Sequence, residues 1–506
     1  MADKYVLAID AGSGGCRALI IDLRGRLASS VAQDWSYRVP DDAAPMGKEF
    51  DPEAFWNIIC DLIARAIRKA EILPADILAV STASQRQGAV FLDKEGNELY
   101  AGPNTDIRAI VEGFAIDDEF RNDVYTITGH APSLLFVPAK LQWFKANRPD
   151  VYERIATALS ISDWVTFRLS GQRVGEPSNI SGIGLIDVQA LRESGRLMDM
   201  LNLSTGVCPL IAAAGTRVGT VTAAAARQSG LDPGTPVVVG GADTQCGLLG
   251  MGALAQGQVG IVAGWSGSVQ MVTDEPVIDS KGRTWTTCHV VPEKWVVDSN
   301  AQQSGGAYRW LKDILFEGLD DGQAYAEMDR LAQDVPPGAG GALAFIGPMV
   351  MDMTRMRISL GGFIFPVTPS VTDVKRGHLV RAALENISFA FKGNCVQLEE
   401  ITRLGIRDVS IGGGLAQSQC LIRILPSVLG MPVTAFEVPN VTSWGTAMCA
   451  AVGAGVYPNL EQASEAMRPK SKVVEPDAEA AEAYATYYQK WLTIAKWLDD
   501  LGQTLG

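Results

Sequence analysis

The chain opens with the sequence Asp10-Ala11-Gly12-Ser13-Gly14-Gly15-Cys16-Arg17, which lies between two apolar runs, Tyr5–Ile9 and Ala18–Ile21. This pattern predicts a strand, a tight turn and a second strand. Glycines let backbone amides approach an anion, and successive amides can form a concave anion site. Ser13 adds a hydroxyl donor, Arg17 adds a fixed positive charge, and Asp10 is a hard oxygen ligand of the kind that Mg²⁺ prefers. The segment therefore predicts a hairpin that binds a triphosphate, with an ordinary glycine-rich turn as the alternative.

Length and composition describe a folded protein of more than one domain. The chain has 506 residues, of which 47% are hydrophobic and 20% are charged. Because chains of this length split into several hydrophobic cores, length predicts two or three units. The repeated hairpins described below divide the chain into two, residues 1–250 and 251–506. The net charge of −14 argues against nucleic acid or an anionic membrane as a partner, since both need a basic surface.

The cysteines and the N-terminus favour a cytoplasmic protein. The eight cysteines form no Cys-x-x-Cys pair, so neither a zinc site nor a dithiol redox site is indicated. Reduced thiols are the simplest account of these residues. The N-terminus lacks the pattern of a signal peptide, and no apolar stretch reaches the ~18 residues of a membrane span. We therefore expect a cytoplasmic location.

The elements after the first hairpin predict an α/β fold. A third strand over Leu27–Val31 would complete a meander, and Asp51 and Pro52 are typical of a helix N-cap and first helical residue. Apolar residues at helical spacing extend that helix to about Ala70. A short buried strand, Ile77–Val80, follows. Strands and helices alternate from there, which indicates a sheet covered by helices.

A later segment repeats the pattern of the first hairpin. The apolar run Val259–Ala263 is followed by Gly264-Trp265-Ser266-Gly267-Ser268 and then by Val269–Val272. Two glycine-serine hairpins, one in each half, indicate a duplicated fold that faces one nucleotide. The alternative is that such hairpins are common and the repeat is accidental.

A third glycine-rich segment, Gly412-Gly413-Gly414, lies between a predicted strand and a predicted helix that ends near Leu429. Glycines at such a junction let a ligand lie on the backbone at the helix N-terminus. This segment is a second candidate contact for a nucleotide. Its alternative is a turn that serves only helix–strand packing.

The second informative carboxylate is Asp243, which follows the apolar run Pro236–Val239 and Gly240-Gly241-Ala242. An aspartate on a loop after a buried strand can accept the proton of an attacking hydroxyl. The alternative is that Asp243 only caps a helix.

Six motifs in order resemble the FGGY carbohydrate kinases, a branch of the actin-like ATPase superfamily, nearly from end to end. The motifs are Asp10-Ala11-Gly12-Ser13, Lys140-Leu141-Gln142-Trp143, Gly240-Gly241-Ala242-Asp243, Ser304-Gly305-Gly306, Gly361-Gly362-Phe363 with His378–Glu385, and Gly412-Gly413-Gly414 with Ser418. The resemblance implies duplicated actin-like ATPase domains of the ribonuclease H-like type, in two lobes with a central cleft. It also implies ATP and Mg²⁺, with transfer of the γ-phosphate to an alcohol group.

The resemblance further implies a role for each matching residue. Asp243 would be the general base, and Asp10, with Asp243 through water, would hold Mg²⁺. The nucleotide would be bound by residues of the hairpins and glycine-rich segments: Asp10, Gly12, Ser13, Gly14, Gly15, Arg17, Ser266, Gly267, Gly305, Gly413, Gly414 and Ser418. Two positions depart from the family pattern, since Trp265 stands where threonine is common and Val137 where a small hydroxyl residue is normal.

The sugar substrate would bind at Ser84–Gly88, where Arg86 and Gln87 offer several hydrogen-bond donors, and at Asp243. Glycerol kinases carry Arg-Glu at Arg86-Gln87, and xylulokinases usually carry Met-His there. Several segments resemble the autoinducer-2 kinases, among them Asn104–Ala109 and Pro177–Asn179. We therefore expect phosphorylation of a primary hydroxyl of a small ketose-like compound, with autoinducer-2 favoured and xylulose or another pentulose as the alternative.

Two other classes of protein stay open at this stage: an actin-like ATPase that drives partner binding, and a non-catalytic sugar sensor. For the kinase, the expected partner is a small-molecule sugar, and a homodimer is left open.

Overall fold

A computed structural model describes residues 4–355, 359–367 and 373–505. The chain forms two compact units. The first comprises the chain up to Ala255 together with Val272–Val296 and Val441–Pro469, and the second comprises Gln256–Met271, Val297–Asn440 and the chain from Lys470 onward.

The strands of the described residues are, in chain order, β1 (Tyr5–Ala11), β2 (Gly15–Asp22), β3 (Leu27–Asp34), β4 (Ile77–Ser84), β5 (Ala89–Leu92), β6 (Glu98–Gly102), β7 (Thr157–Ser160), β8 (Val174–Gly175), β9 (Ile186–Asp187), β10 (Arg192–Glu193), β11 (Leu210–Ile211), β12 (Arg217–Thr220), β13 (Pro236–Ala242), β14 (Gln258–Ala263), β15 (Gly267–Thr273), β16 (Trp285–Cys288), β17 (Trp295–Asn300), β18 (Leu343–Phe345), β19 (Gly362–Ile364), β20 (Asp408–Gly412), β21 (Val433–Phe436) and β22 (Ser471–Val474).

The α-helices of the described residues are α1 (Pro52–Ala70), α2 (Ile110–Thr128), α3 (Val137–Asn147), α4 (Pro149–Tyr152), α5 (Ile161–Ser170), α6 (Pro177–Gly182), α7 (Gly195–Met200), α8 (Ala223–Ser229), α9 (Asp243–Met251), α10 (Ser304–Leu315), α11 (Asp321–Gln333), α12 (Arg376–Thr402), α13 (Gln419–Leu429), α14 (Val441–Gly453), α15 (Leu460–Met467) and α16 (Ala478–Leu505). No helix in the described part of the chain is both long and apolar enough to cross a membrane.

The main sheet of the first unit has the strand order β12-β13-β4-β1-β2-β3. The predicted meander is present, because β1 pairs with β2 and β2 with β3, both antiparallel. In contrast, β1, β4 and β13 are parallel neighbours, with Ala11 and Ala242 each opposite Ser84. The carboxyl ends of three adjacent strands therefore meet at one edge of this sheet.

Helices cover this sheet for reasons that are visible in the sequence. Helix α1 begins as predicted, because the Asp51 side chain accepts a hydrogen bond from the Ala54 amide and Pro52 fits the first helical position. Such a cap contributes about 1 kcal/mol. The apolar face of α1, which includes Trp56 and Ile63, is buried. Helix α14 is mostly apolar, and its residues are buried over most of its length.

The second unit repeats the arrangement of the first around its own hairpin. Strands β14 and β15 are antiparallel, and β14 is parallel to β20, with Val262 opposite Gly412. Parallel pairing continues from β20 to β21. The turn after Ala263 and the glycines after β20 consequently lie at the same edge of this sheet.

Candidate active site

The first unit collects three predicted groups at one edge of its main sheet. Asp10 lies at the end of β1, the segment Gln85–Gly88 follows β4, and Asp243 is the first residue of α9, directly after β13. Because β1, β4 and β13 are adjacent and parallel, the residues that follow them are neighbours in space. This edge is the usual position of ligand sites in parallel sheets.

Asp10 is a buried carboxylate beside one exposed cation. Arg17 lies opposite it in the hairpin register, with its Nη1 3.7 Å from Asp10 Oδ2, and the Arg17 side chain is 47% exposed. Burial raises the pKa of Asp10, and the charge of Arg17 opposes this shift. A bound cation would stabilise the charged form of this carboxylate, so its chemistry fits a Mg²⁺ ligand.

No group of three or more His, Cys, Asp or Glu residues that could hold a metal occurs among the described ranges. Proteins that use Mg²⁺ with nucleotides commonly supply one or two carboxylates, while phosphates and water complete the shell. Asp10 and Asp243 correspond to such a sparse set.

Asp243 begins α9 without acting as its N-cap. Ala242 holds the N-cap position and Asp243 is the first helical residue. The alternative, in which Asp243 is the N-cap, is therefore wrong. Its Oδ1 accepts a hydrogen bond from the Thr244 amide at 2.8 Å, and its carbonyl accepts one from Thr442 Oγ1 at 2.9 Å. A carboxylate in the first turn of a helix is stabilised in its charged form by the helix dipole.

Two buried acids are connected through Ser178 to Ala242, the last residue of β13. The Ser178 hydroxyl accepts a hydrogen bond from the Ala242 amide at 3.0 Å and donates to Glu176 Oε2. The amide of Glu176 in turn donates to Asp163 Oδ1 at 3.2 Å. Burial raises the pKa of Glu176 to about 8 and that of Asp163 to about 7.

The loop after β4 contains one residue in a strained backbone conformation, as binding loops often do. Gln87 has a φ of 63°, which side chains rarely adopt, yet it is only 8% exposed. Its Nε2 is buried without a hydrogen-bond partner in the part of the chain that the structure describes. The guanidinium carbon of Arg86 lies 5.8 Å from the ring centre of Trp285. No motif in the sequence indicated that Trp285 would be close to Arg86.

The hairpin turn of the second unit contacts the start of α10. A Cβ at Gly305 would collide with the carbonyl oxygen of Gly264, so only glycine fits this approach. The Gly306 amide donates to the Trp265 carbonyl at 3.0 Å, and the Gly267 amide donates to that of Gln302 at 3.0 Å. Trp265 is 61% exposed. Ser266 and Gly267 are thus brought beside Gly305.

Gly413 and Gly414, which follow β20, have different surroundings. Gly413 has a φ of 110°, and a Cβ there would lie 2.6 Å from the Ala263 carbonyl oxygen, whereas a Cβ at Gly414 would meet open space. The Ser418 hydroxyl caps α13 by accepting from the Leu421 amide at 3.1 Å, and it donates to Asp329 Oδ1 at 2.5 Å. Gly414 therefore offers free space for a ligand, while the hydroxyl of Ser418 is already engaged.

The structure thus divides the predicted residues between the two units. Residues of the first hairpin, Arg86, Gln87 and Asp243 lie at one sheet edge of the first unit, whereas Ser266, Gly267, Gly305, Gly413, Gly414 and Ser418 belong to the second. Sequence reasoning did not identify Trp285 as a neighbour of Arg86, nor the contacts of Ser178 with Ala242 and of Asn104 with Ser13, because the partners in each contact are far apart in the chain.

Comparison with known proteins agrees with these features. Residues 5–250 match the model of the N-terminal domain of the FGGY family of carbohydrate kinases, and residues 259–454 match that of its C-terminal domain. The chain is 32% identical to the autoinducer-2 kinase of Enterobacter sp. (strain 638), over 99% of this chain and 95% of the relative. It is 30% identical to the autoinducer-2 kinase of Escherichia coli (strain K12), over 98% and 95% respectively.

Solved structures share the fold. The xylulose kinase of Rhodospirillum rubrum superposes with a TM-score of 0.84 at 24% identity, over 99% of this chain and 100% of that one. The glycerol kinase of Plasmodium falciparum, solved with ADP, gives 0.83 at 17% identity, over 97% and 98%.

These findings confirm the predicted fold class, the family resemblance and the enzyme class. The protein is a phosphotransferase that acts on an alcohol group of a small-molecule sugar substrate, with ATP as the substrate that the family implies. The chain belongs to the FGGY family of carbohydrate kinases.

Proposed function

We propose that this kinase uses ATP and Mg²⁺ to phosphorylate a primary hydroxyl of autoinducer-2, an open-chain ketose-like compound. The observation that carries the proposal is the register of β1, β4 and β13. This register brings the glycine-rich turn of the first hairpin, the loop Gln85–Gly88 and Asp243 to one sheet edge. The autoinducer-2 kinases that resemble the chain over 98–99% of its length support the choice of substrate.

Asp243 is the proposed general base. It accepts the proton of the substrate hydroxyl as that oxygen attacks the γ-phosphorus, while the bond to the β-phosphate oxygen breaks and ADP leaves. Its position directly after β13 brings the carboxylate to the sheet edge that it shares with the loop after β4.

Asp10, with Asp243 through water, is the proposed Mg²⁺ ligand. Bound Mg²⁺ neutralises phosphate charge during transfer. Gly12, Ser13, Gly14, Gly15 and Arg17 bind the transferring phosphates through amides, a hydroxyl and a guanidinium.

The second unit supplies the proposed remaining nucleotide contacts, which are Ser266 and Gly267 for phosphates and Gly305, Gly413, Gly414 and Ser418 for adenosine. The free space beside Gly414 supports this part of the proposal. The lobes are proposed to be residues 1–250 and 251–506, and the limits of the two family models support this division. The compact first unit differs from that division, because it also includes Val272–Val296 and Val441–Pro469.

Arg86 and Gln87 are the proposed substrate-binding residues. The guanidinium supplies up to five donors and the Gln87 amide supplies two. Among the residues that the structure describes, the buried Nε2 of Gln87 has no hydrogen-bond partner. A substrate oxygen would offset the desolvation cost of this donor.

A second candidate substrate is xylulose or another pentulose. The fold shared with xylulose kinases is the observation in its favour, and the Arg86-Gln87 pair, in place of the usual Met-His, weighs against it.

The test is a coupled assay of ADP release with autoinducer-2 precursor, xylulose, ribulose, erythrulose and glycerol as acceptors. We expect the highest kcat/KM with the autoinducer-2 precursor. A higher value with xylulose would favour the second candidate. ATP turnover that is independent of every acceptor would favour an actin-like ATPase, and tight sugar binding without transfer would favour a sensor.

The cytoplasm is the proposed location, since it holds the ATP that the reaction consumes. The homodimer stays a hypothesis, which the molar mass measured by light scattering tests.

A further inference from the structure

Three consecutive carbonyl groups in the turn of the first hairpin are held by neighbouring groups. The Gly12 carbonyl accepts from Gln85 Nε2 at 3.3 Å, the Ser13 carbonyl from Tyr37 Oη at 2.6 Å, and the Gly14 carbonyl from the Trp35 amide at 3.2 Å. All of these residues belong to the first unit.

The held carbonyls determine where the amides of the turn point. In a planar trans peptide the C=O and the following N–H point in opposite directions. Fixing the carbonyls of residues 12, 13 and 14 therefore directs each of the amides of residues 13, 14 and 15 away from the group that holds the preceding carbonyl. Three successive amides on one side form an anion site, whereas inward carbonyls would repel an anion.

The Ser13 hydroxyl is oriented in the same way. Asn104 Nδ2 donates to Ser13 Oγ at 2.8 Å. Because this oxygen already accepts a hydrogen bond, its own proton is left to donate elsewhere, and a phosphate oxygen is a strong acceptor.

Gln85 connects these contacts to one another. Its Nε2 also donates to Tyr37 Oη at 3.0 Å, and its Oε1 accepts from the Asn104 amide at 3.0 Å. Its own amide donates to the Ala11 carbonyl at 3.0 Å. Gln85 is 1% exposed and directly precedes Arg86, so the substrate loop and the phosphate turn share one rigid support.

We propose that Gln85, Tyr37 and Asn104 are positioning residues that present the amides and the Ser13 hydroxyl of the first hairpin to the terminal phosphate of ATP. The proposal rests on the proposed function for the choice of ligand, and it assigns these residues no contact with the reacting atoms.

The test compares Tyr37→Phe and Asn104→Ala with the unchanged protein by calorimetry, using a non-hydrolysable ATP analogue and ADP. Tyr37→Phe removes one hydroxyl and Asn104→Ala removes one carboxamide, and neither changes a charge. We expect each variant to weaken binding of the ATP analogue about tenfold and to leave the affinity for ADP unchanged. Thr105→Ala, an exposed neighbour of Asn104, should change neither affinity.

A double-mutant cycle separates positioning from a general structural role. If Asn104 acts through the Ser13 hydroxyl, Asn104→Ala should weaken the ATP analogue less than about twofold further in the Ser13→Ala background. The proposal would be overturned if the effects of the two substitutions on the affinity for the ATP analogue were fully additive. It would also be overturned if binding of ADP and of the ATP analogue were weakened equally. These binding measurements require no sugar. If autoinducer-2 were not the acceptor, the ADP-release assay would show it and the binding results would not change.

Discussion

Asp10 and Arg17 face each other across the first hairpin, yet Arg17 Nη1 lies 3.7 Å from Asp10 Oδ2, too far for a hydrogen bond. The negative charge of the buried Asp10 carboxylate is therefore only weakly balanced by Arg17, and burial raises the pKa of Asp10. A doubly charged cation beside Asp10 would compensate the carboxylate more fully than the exposed arginine does.

Asp10→Asn removes the charge and keeps the size of the side chain. We expect kcat to fall about 100-fold and the Mg²⁺ concentration for half-maximal rate to rise, because the amide is a weaker metal ligand. A Mg²⁺ titration of the rate measures both. Asp34→Asn, at the exposed end of β3, is the matched control, and an unchanged Mg²⁺ dependence in Asp10→Asn would contradict the assigned role.

Gln87→Gly separates backbone strain from substrate binding. Glycine adopts a φ of 63° without the cost that a side chain carries there, so the melting temperature should stay the same or rise. The loss of the amide should raise the KM for the sugar about tenfold while the KM for ATP stays constant. A lower melting temperature, or an unchanged sugar KM, would argue that Gln87 serves only the fold.

The Asp163 and Glu176 pair predicts a pH dependence of stability. The pKa values of Asp163 and Glu176 in the folded protein, about 7 and about 8, exceed those in the unfolded chain. At pH values between the unfolded and the folded pKa, the folded state therefore binds more protons than the unfolded state. The free energy of unfolding should therefore fall as the pH rises from about 5 to about 8.

Glu176→Gln should reduce that fall, because the amide still accepts from the Ser178 hydroxyl but has no proton to lose. Urea unfolding at pH 5.5 and 8.5 measures the difference. The control is Glu95→Gln, in an exposed turn, which should follow the unchanged protein. An identical pH slope for Glu176→Gln would show that the buried acid does not titrate in this range.

Local features of the fold could be predicted from the sequence where one short pattern carries the physics. The apolar runs around Asp10 gave the hairpin, and Asp51 with Pro52 gave the start of α1. Such features depend on neighbours in the chain, so composition and spacing are sufficient.

Features that depend on distant contacts could not be predicted. Asp106 and Arg108 allow the interpretation of a surface loop with a local ion pair, but both are buried, and the Arg108 guanidinium lies 4.6 Å from the ring centre of Tyr100. Asp106 also accepts from the Lys48 amide, 58 residues away. The contacts of Arg86 with Trp285 and of Ser13 with Asn104 likewise join segments that share no local pattern.

The central claim, that Asp243 is the general base, is tested most directly by Asp243→Asn, with ADP release and ATP binding measured on the same preparation. We predict that kcat falls by about 10³-fold or more, while the Kd for ATP stays within about twofold of the unchanged protein. Retained turnover, or a loss of ATP affinity as large as the loss of rate, would contradict the assignment.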